Sequence, residues 1–177
     1  DDVARRLADA AWALREALNK GGTPIDEALR IERDAPEGPV VLFDVGDNVG
    51  GGSPGDSTHI LHAARRLGVQ GLLQALCDPG LATRCHELGV GARVSALAGG
   101  KCDDQHGAPL PVEGVVTALS DGRYEETGPT HGGFRFFNDG ASAAIRTDDG
   151  FMLVITSRAG GTASLQQFRA LGIEPTA

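Results

Sequence analysis

Several residue types are scarce in this sequence of 177 residues, and each scarcity excludes a class of protein. The three cysteines, Cys77, Cys85 and Cys102, form no Cys-x-x-Cys pair and are too few for a disulfide framework, so we expect reduced thiols in a cytoplasmic protein. Basic residues number 16 against 24 acidic ones, and a net charge of -8 argues against nucleic acid or an anionic membrane as a partner. No apolar run is long enough to span a bilayer. The only methionine is Met152, so we interpret the chain as either processed or part of a longer protein.

The first residues predict a helix that suits an acidic start at Asp1 and ends at Lys20-Gly21-Gly22. Its apolar residues recur at three- and four-residue steps, at Val3, Leu7, Ala11, Leu14 and Leu18. A second short helix should follow, with Thr23 as its cap. We interpret residues 1–38 as a helical lead-in from an upstream domain that this chain lacks.

The remaining residues, 39–177, first alternate between strand and helix signals. Apolar runs at 40–45, 71–77 and 93–98 predict buried strands, and helices are predicted between them at 56–67 and 78–88. This alternation favours a parallel or mixed sheet with covering helices.

Hairpin signals dominate the last third of the chain. Apolar or alternating runs lie at 112–119, 135–137, 141–147 and 151–157. Turns that end in Gly122, Gly140 and Gly150 separate some of these runs, and a closing helix stops at Gly172. The sequence therefore predicts an α/β domain at 39–177: a mixed sheet with covering helices and an antiparallel β portion near the C-terminus.

A glycine-rich turn between the first predicted strand and the helix after it is the candidate binding site. Glycines let a backbone approach a ligand closely, and the helix that follows offers free N–H groups. Its candidate residues are Asp44, Asp47, Asn48, Gly50, Gly51, Gly52, Ser53, Gly55, Asp56, Ser57 and Thr58. The pattern is neither a Walker A loop nor Gly-x-Gly-x-x-Gly, and a tight structural turn with Asp56 as a helix cap is the alternative interpretation.

The run DVGDNVGGGSPGDST, at 44–58, resembles the signature of the microcystinase C (MlrC) family, which reads close to Asp-Asn-Pro-Gly-Gly-Gly-x-Pro-Gly-Asp-Gly/Ser-Thr. Downstream, the segment from Gly99 to Tyr124 is similar to the family's Gly-Gly-Lys segment and the strand after it. The segments VITSR and FRALGIEP resemble its closing strand and helix. The sequence departs from the family at Val49, where proline is usual, at Cys102, and at Ala159, where arginine is frequent.

The resemblance implies a longer, two-domain protein that is a zinc-dependent peptidase or amide hydrolase, in a family named for its action on a cyclic peptide toxin. The zinc and the main catalytic residues would lie in the N-terminal domain, so no cofactor is expected in this chain. Its C-terminal domain would supply one wall of the cleft, where the N–H groups of the glycine-rich loop and Lys101 orient a substrate carboxylate or amide beside the metal. The expected partners are that upstream domain and a small peptide or amide.

Two other groups of residues could bind a metal. His59 and His62 lie three residues apart on a predicted helix, a spacing that can hold an ion, but no acidic third ligand follows on that face. Asp103, Asp104 and His106 cluster beside Lys101, and we favour a solvated polar loop for them.

Three further groups of residues could supply a nucleophile or an acid/base pair. Cys85 and His86 are adjacent on a helix and should point in different directions. Ser57 lacks a nucleophile elbow, and helix capping is its simplest role. Asp44 and Asp47 could form an acid/base pair, although Asp44 could equally hold the loop by accepting its N–H groups.

Two functions other than the cleft wall stay open at this point. The domain could bind a small molecule or an anion without hydrolase activity, or it could assemble a homo-oligomer. The aromatic residues Trp12, Phe134, Phe136 and Phe137 are expected in the core or at a domain interface.

Overall fold

The computed structural model describes residues 1–18, 21–129 and 131–175. The helices within these ranges are α1 (Asp2–Ala13), α2 (Arg15–Leu18), α3 (Ile25–Arg33), α4 (His59–Leu67), α5 (Pro79–Leu88) and α6 (Gln166–Arg169). The strands are β1 (Leu73–Cys77), β2 (Arg93–Ala98), β3 (Leu110–Ser120), β4 (Arg123–Glu125), β5 (Phe136–Asn138), β6 (Ser142–Thr147) and β7 (Met152–Thr156). None of the described helices has the length and apolar character needed to cross a membrane.

Five strands form one mixed sheet in the order β1-β7-β6-β3-β2. Strand β1 runs parallel to β7, and every other neighbouring pair is antiparallel. The long strand β3 pairs with β2 along its first half and with β6 along its second, with a register shift between Val116 and Ala118. Strands β4 and β5 form a separate antiparallel pair. The predicted fold class, a mixed sheet with helices and an additional antiparallel portion, is confirmed.

Apolar side chains cover both faces of the sheet because successive strand residues point to opposite sides. On one side, α3, α4 and α5 contribute Leu29, Leu61 and Leu81 to the main core. On the other side, Phe168 and Leu171, in and just after α6, pack on Ala144, Val154 and neighbouring apolar residues. The three-layer arrangement leaves the loops at the strand ends to form the site.

The predicted buried strand at 40–45 is wrong. These residues have no strand structure, and Val41, Phe43 and Val45 are exposed, while only Leu42 packs against the core. An apolar run indicates that a surface is to be covered but does not identify the partner that covers it. Without this strand, β1 and β7 form the one parallel pair among the described residues.

The predicted first helix is divided in two. Asp1 caps α1 as expected, accepting a hydrogen bond from the Val3 N–H at 3.1 Å, but the helix stops at Leu14 and a second one begins at Arg15. No residue of α1 or α2 is buried. Of the predicted stop, Lys20 lies outside the described residues.

Two predicted helix caps are also wrong. The N-cap residue of α3 is Pro24, one residue after the predicted cap Thr23, and no side chain accepts a capping hydrogen bond there. Helix α4 begins at His59 with Thr58 in the cap position, three residues later than predicted, so neither Asp56 nor Ser57 is the cap. The Gly68 stop is as predicted, with φ at 69°.

Candidate functional site

Two loops meet where β1 and β2 end: the glycine loop, residues 44–58, and the lysine loop, residues 99–108. The glycine loop folds on its own polar groups. Asp44 Oδ1 accepts the N–H groups of Gly46 and Asp47 at 3.1 and 3.2 Å. Asn48 Oδ1 accepts the Gly50 N–H at 3.0 Å and starts a 3-10 turn over Val49–Gly51. Of the two interpretations of Asp44, the structure therefore supports the one in which it holds the loop by accepting its N–H groups.

The carboxylate of Asp47 closes the glycine loop. Its Oδ1 accepts the Gly55 N–H at 2.8 Å and its Oδ2 accepts the Ser57 N–H at 2.7 Å. Gly55, with φ at 75°, then offers its carbonyl to the N–H of Cys77 at 2.7 Å, which ties the loop to the end of β1. Charge-assisted hydrogen bonds to two backbone N–H groups hold residues 55 and 57 beside Asp47, so its carboxylate fixes the shape of the loop.

Asp56 joins the two loops. It is only 1% exposed, and its Oδ2 accepts the N–H groups of Lys101 and Cys102 at 2.8 and 3.1 Å. Its backbone carbonyl accepts the Gly100 N–H at 2.7 Å. Oδ1 is also buried and finds no hydrogen-bond partner among the described residues. Both oxygens are enclosed by the loops, so Asp56 serves the architecture of the site.

Asp78 binds the lysine loop from the other side. Its Oδ1 caps α5 through the Leu81 N–H at 3.0 Å. Its Oδ2 accepts the Gly99 N–H at 3.1 Å and the Lys101 ammonium at 2.6 Å. The sequence indicated only the helix cap. The ion pair with Lys101 was not predicted, and it means that the ammonium group is anchored by a buried carboxylate while part of its side chain stays exposed.

Thr58 completes the junction of the loops. Its N–H donates to the His106 carbonyl at 3.0 Å, and its hydroxyl donates to the Ala108 carbonyl at 2.7 Å. The backbones approach so closely here that a Cβ on Gly107 would collide with the Thr58 hydroxyl. The inner half of the glycine loop is therefore packed against the lysine loop.

The loop of Asp103 and Asp104 is exposed, as predicted for a solvated loop, but the side chain of His106 in it is largely buried and bridges two carboxylates. Its Nδ1 lies 2.8 Å from Asp103 Oδ1, and its Nε2 lies 3.9 Å from Asp47 Oδ1. The hydrogen bond to Asp103 raises the pKa of His106, and Asp47 adds to this shift. The same hydrogen bond lowers the pKa of Asp103. Asp104, in contrast, is exposed.

The substitution His106→Gln should destabilise the protein more at low pH than at high pH. Because the folded state raises the pKa of His106, its contribution is fully present below the ordinary value of about 6.5 and falls as pH rises through the raised pKa. Urea unfolding of both proteins at about pH 6 and about pH 9 measures the difference. A difference that is larger at the higher pH would contradict the bridge.

The structure divides the predicted binding residues of the glycine loop into three groups by their exposure. Asn48, Gly50, Gly51 and Gly52 form an exposed tip, which we call the loop tip. Asp56, Ser57 and Thr58 are buried beneath it. Asp47 and Ser53 lie between, and the Ser53 hydroxyl donates to the Gly46 carbonyl at 3.1 Å. Of the predicted binding residues, the loop tip and Lys101 are exposed to solvent. The N–H groups of Gly50, Gly51 and Gly52 are bonded within the loop, so the expectation that they are free for a substrate is wrong.

The described residues do not fit a metal ion. They include no group of three or more His, Cys, Asp or Glu side chains placed to hold one. His59 Nε2 lies 2.9 Å from the Gln105 carbonyl, and His62 Nε2 lies 2.9 Å from the Ala108 carbonyl. Each ring is therefore engaged with a backbone oxygen of the lysine loop, and the two do not converge.

The three cysteines and Ser57 are not activated as nucleophiles. Cys85 lies on the buried side of α5, and burial raises the pKa of its thiol to about 11. Desolvation also raises the pKa values of Cys77 and Cys102, and the Asp56 carboxylate adds to both shifts. Ser57 is buried, donates its N–H to Asp47, and accepts the Gln74 amide on its carbonyl at 2.9 Å. All three cysteines are free thiols.

Comparison with known proteins assigns the chain to a family. The family described as MlrC C-terminus matches residues 42–177. Microcystinase C of Sphingomonas sp. is 28% identical over 148 residues, which cover 83% of this chain and 28% of that protein. The crystal structure of a "Putative metallopeptidase" from Mesorhizobium sp. BNC1 superimposes with a TM-score of 0.85 at 27% identity, covering 99% of this chain and 35% of that one. The chain thus spans about a third of the length of these relatives, and it belongs to the MlrC C-terminus family.

Proposed function

We propose that this chain forms one wall of the substrate cleft of a metal-dependent peptidase or amide hydrolase. The metal, which we expect to be zinc, and the main catalytic residues are held by an upstream domain outside this chain. Residues 1–38 lead in from that domain, and 39–177 form the wall. The observation that carries the proposal is an exposed glycine tip fixed by buried carboxylates, in a family that includes microcystinase C.

The loop tip suits a substrate that approaches as an extended chain. Gly50, Gly51 and Gly52 have no side chains to keep a peptide backbone at a distance. Their N–H groups are already bonded within the loop, to Asn48 and Val49. The tip therefore offers its carbonyl oxygens and the Asn48 amide, and a substrate N–H is the group that fits the carbonyls.

Lys101 supplies the complementary charge. Its ammonium carries three hydrogens, and the bond to Asp78 uses one of them. The remaining hydrogens are available for a substrate carboxylate or carbonyl oxygen. A small peptide or amide presents both an N–H donor and such an oxygen, so the wall binds and orients it without performing proton transfer itself.

The remaining parts of the proposal concern the partners, the location and the oligomeric state of the enzyme. A net charge of -8 is unfavourable for binding nucleic acid or an anionic membrane, and we propose a cytoplasmic enzyme with free thiols. A homo-oligomer is compatible with this function, since symmetric assembly is common among soluble enzymes.

The proposal is tested by measuring zinc content and peptide hydrolysis of this chain beside the full-length protein. We expect both in the full-length protein and neither in the chain alone. Stoichiometric zinc or hydrolysis in the chain alone would contradict it and direct attention to His59, His62 and His106. A full-length protein with neither would favour a small-molecule or anion-binding module.

A leucine at Gly51 tests the loop tip within the same assay. A Cβ at Gly51 meets nothing closer than 3.8 Å, and its φ is not in the left-handed region, so Gly51→Leu should fold normally. By obstructing the substrate it should lower kcat/KM of the full-length enzyme at least about tenfold, with zinc content unchanged. The matched control is Gly161→Leu, where a Cβ also has open space, and it should leave kcat/KM unchanged. Equal activity of the two variants would remove the tip from the cleft.

A further inference from the structure

Helices α1 and α2 expose a complete apolar stripe. Val3, Leu7, Leu14 and Leu18 are all more than half exposed, as is Trp12 beside them. No residue of α1 or α2 is buried, so neither helix packs its stripe against the described residues. A helix of 12 residues is marginal in water on its own, because most helix stability in proteins comes from packing of the apolar side. The stripe therefore needs a covering surface.

Residues 40–45 present a second apolar surface. Val41, Phe43 and Val45 are 68%, 85% and 74% exposed, while Leu42 between them packs on the core. This alternation is that of an extended segment with one side buried and the other apolar and open. The hydrogen bonds between described residues include none to the backbone of residues 40–45. The segment thus has both apolar side chains and backbone groups available for a partner.

The second surface adjoins the candidate site and is contacted by Gly22, four residues after the end of α2. A Cβ on Gly22 would lie 3.4 Å from the Val45 side chain, so Gly22 lies against the 40–45 segment. Val45 is also the second residue of the glycine loop, which begins at Asp44. We call α1, α2 and residues 40–45 together the apolar face. A partner bound to this face lies beside the loop tip.

We infer that the apolar face is the docking surface for the upstream, metal-bearing domain of the same enzyme. This inference rests on the proposed function. The Mesorhizobium structure covers 99% of this chain, so it contains the counterpart of the apolar face, in a polypeptide of which that region is only 35%. The remaining 65% of that polypeptide is long enough to form a covering domain, and docking beside the loop tip would complete the cleft. Residues 40–45 would pair their backbone with an extended segment of that domain.

Hydrogen exchange of the backbone amides tests the docking surface without relying on activity. We expect residues 2–18 and 40–45 to exchange at least about tenfold more slowly in the full-length protein than in this chain alone. Equal rates in the two proteins would overturn the inference. Protection that rises with the concentration of the isolated chain would identify a second copy as the partner, and would also overturn it.

A charge placed on the apolar face separates docking from folding. Phe43→Asp should leave urea unfolding of the isolated chain unchanged, because the side chain is 85% exposed there. In the full-length protein it should abolish the protection of residues 2–18. The matched control is Val90→Asp, which is 63% exposed elsewhere and should leave that protection intact. Equal behaviour of the two variants would overturn the inference.

The inference and the proposed function fail separately. A full-length protein that protects the apolar face but hydrolyses no peptide keeps the docking surface and loses the function. A full-length protein that hydrolyses peptides but leaves the apolar face unprotected keeps the function and loses the docking surface.

Discussion

Replacing Asp78 with alanine should lower the free energy of unfolding by about 3 kcal/mol or more. The cap of α5 at Leu81 accounts for about 1 kcal/mol of this loss. The Gly99 N–H, which is buried against Asp78, would be left without its partner at a cost of about 1–3 kcal/mol. The Lys101 ammonium adds less, because its side chain is partly exposed and can be hydrated.

Asp148→Ala is the matched control for this prediction. Asp148 also binds two donors, both on the Arg93 guanidinium, at 2.8 and 2.7 Å, but the pair is exposed. Its loss should cost much less than the loss of Asp78, because solvent screens an exposed ion pair. Urea unfolding followed by far-UV circular dichroism measures both variants, since Trp12 is exposed on α1 and would report little of the core. Equal destabilisation would show that Asp78 does not fix the lysine loop.

Replacing Gly100 with alanine should cost a similar amount through a different cause. At φ of 57° an alanine is strained by about 1–2 kcal/mol. Its Cβ would also lie 2.6 Å from the Gly107 carbonyl oxygen and 2.8 Å from the Ala108 carbonyl carbon. Both atoms are backbone, so the lysine loop must shift, adding about 1–3 kcal/mol.

Gly68→Ala isolates the strain from the collision. Gly68 has φ of 69°, and a Cβ there meets nothing within 4 Å. It should cost only the 1–2 kcal/mol, roughly, of the left-handed conformation. Thermal or urea unfolding of the two variants gives the difference. If Gly100→Ala were no worse than Gly68→Ala, the close approach of the two backbones at Gly107 would not constrain the loop.

Local patterns predicted most of the secondary structure. Strands β6 and β7 were predicted because two apolar runs flank Asp148-Asp149-Gly150, and Gly150 has the positive φ that such a turn needs. The strand prediction at 40–45 failed for a physical reason. An apolar run indicates side chains that avoid water, but no described residue covers Val41, Phe43 and Val45.

The candidate site was only half predictable. The glycine loop was predictable because its glycines and aspartates lie within one stretch of 15 residues, at 44–58. Asp78 could not be assigned its second role, because Gly99 and Lys101 lie 21 and 23 residues away and reach it only in the folded chain. The resemblance to a family identified Lys101 but gave no indication of its partner. His106 was placed in a solvated loop because its contact with Asp47 spans the two loops.

The buried aspartates have a consequence for how related genes are interpreted. Asp47, Asp56 and Asp78 are occupied by backbone N–H groups, helix α5 and Lys101, so selection for a folded domain is enough to retain them. A descendant enzyme that changed its substrate, or lost hydrolysis altogether, would keep the same signature. We therefore expect genome searches with this motif to collect proteins that share a scaffold. Under the proposed function, the residues of the loop tip are the better guide to what each of them binds.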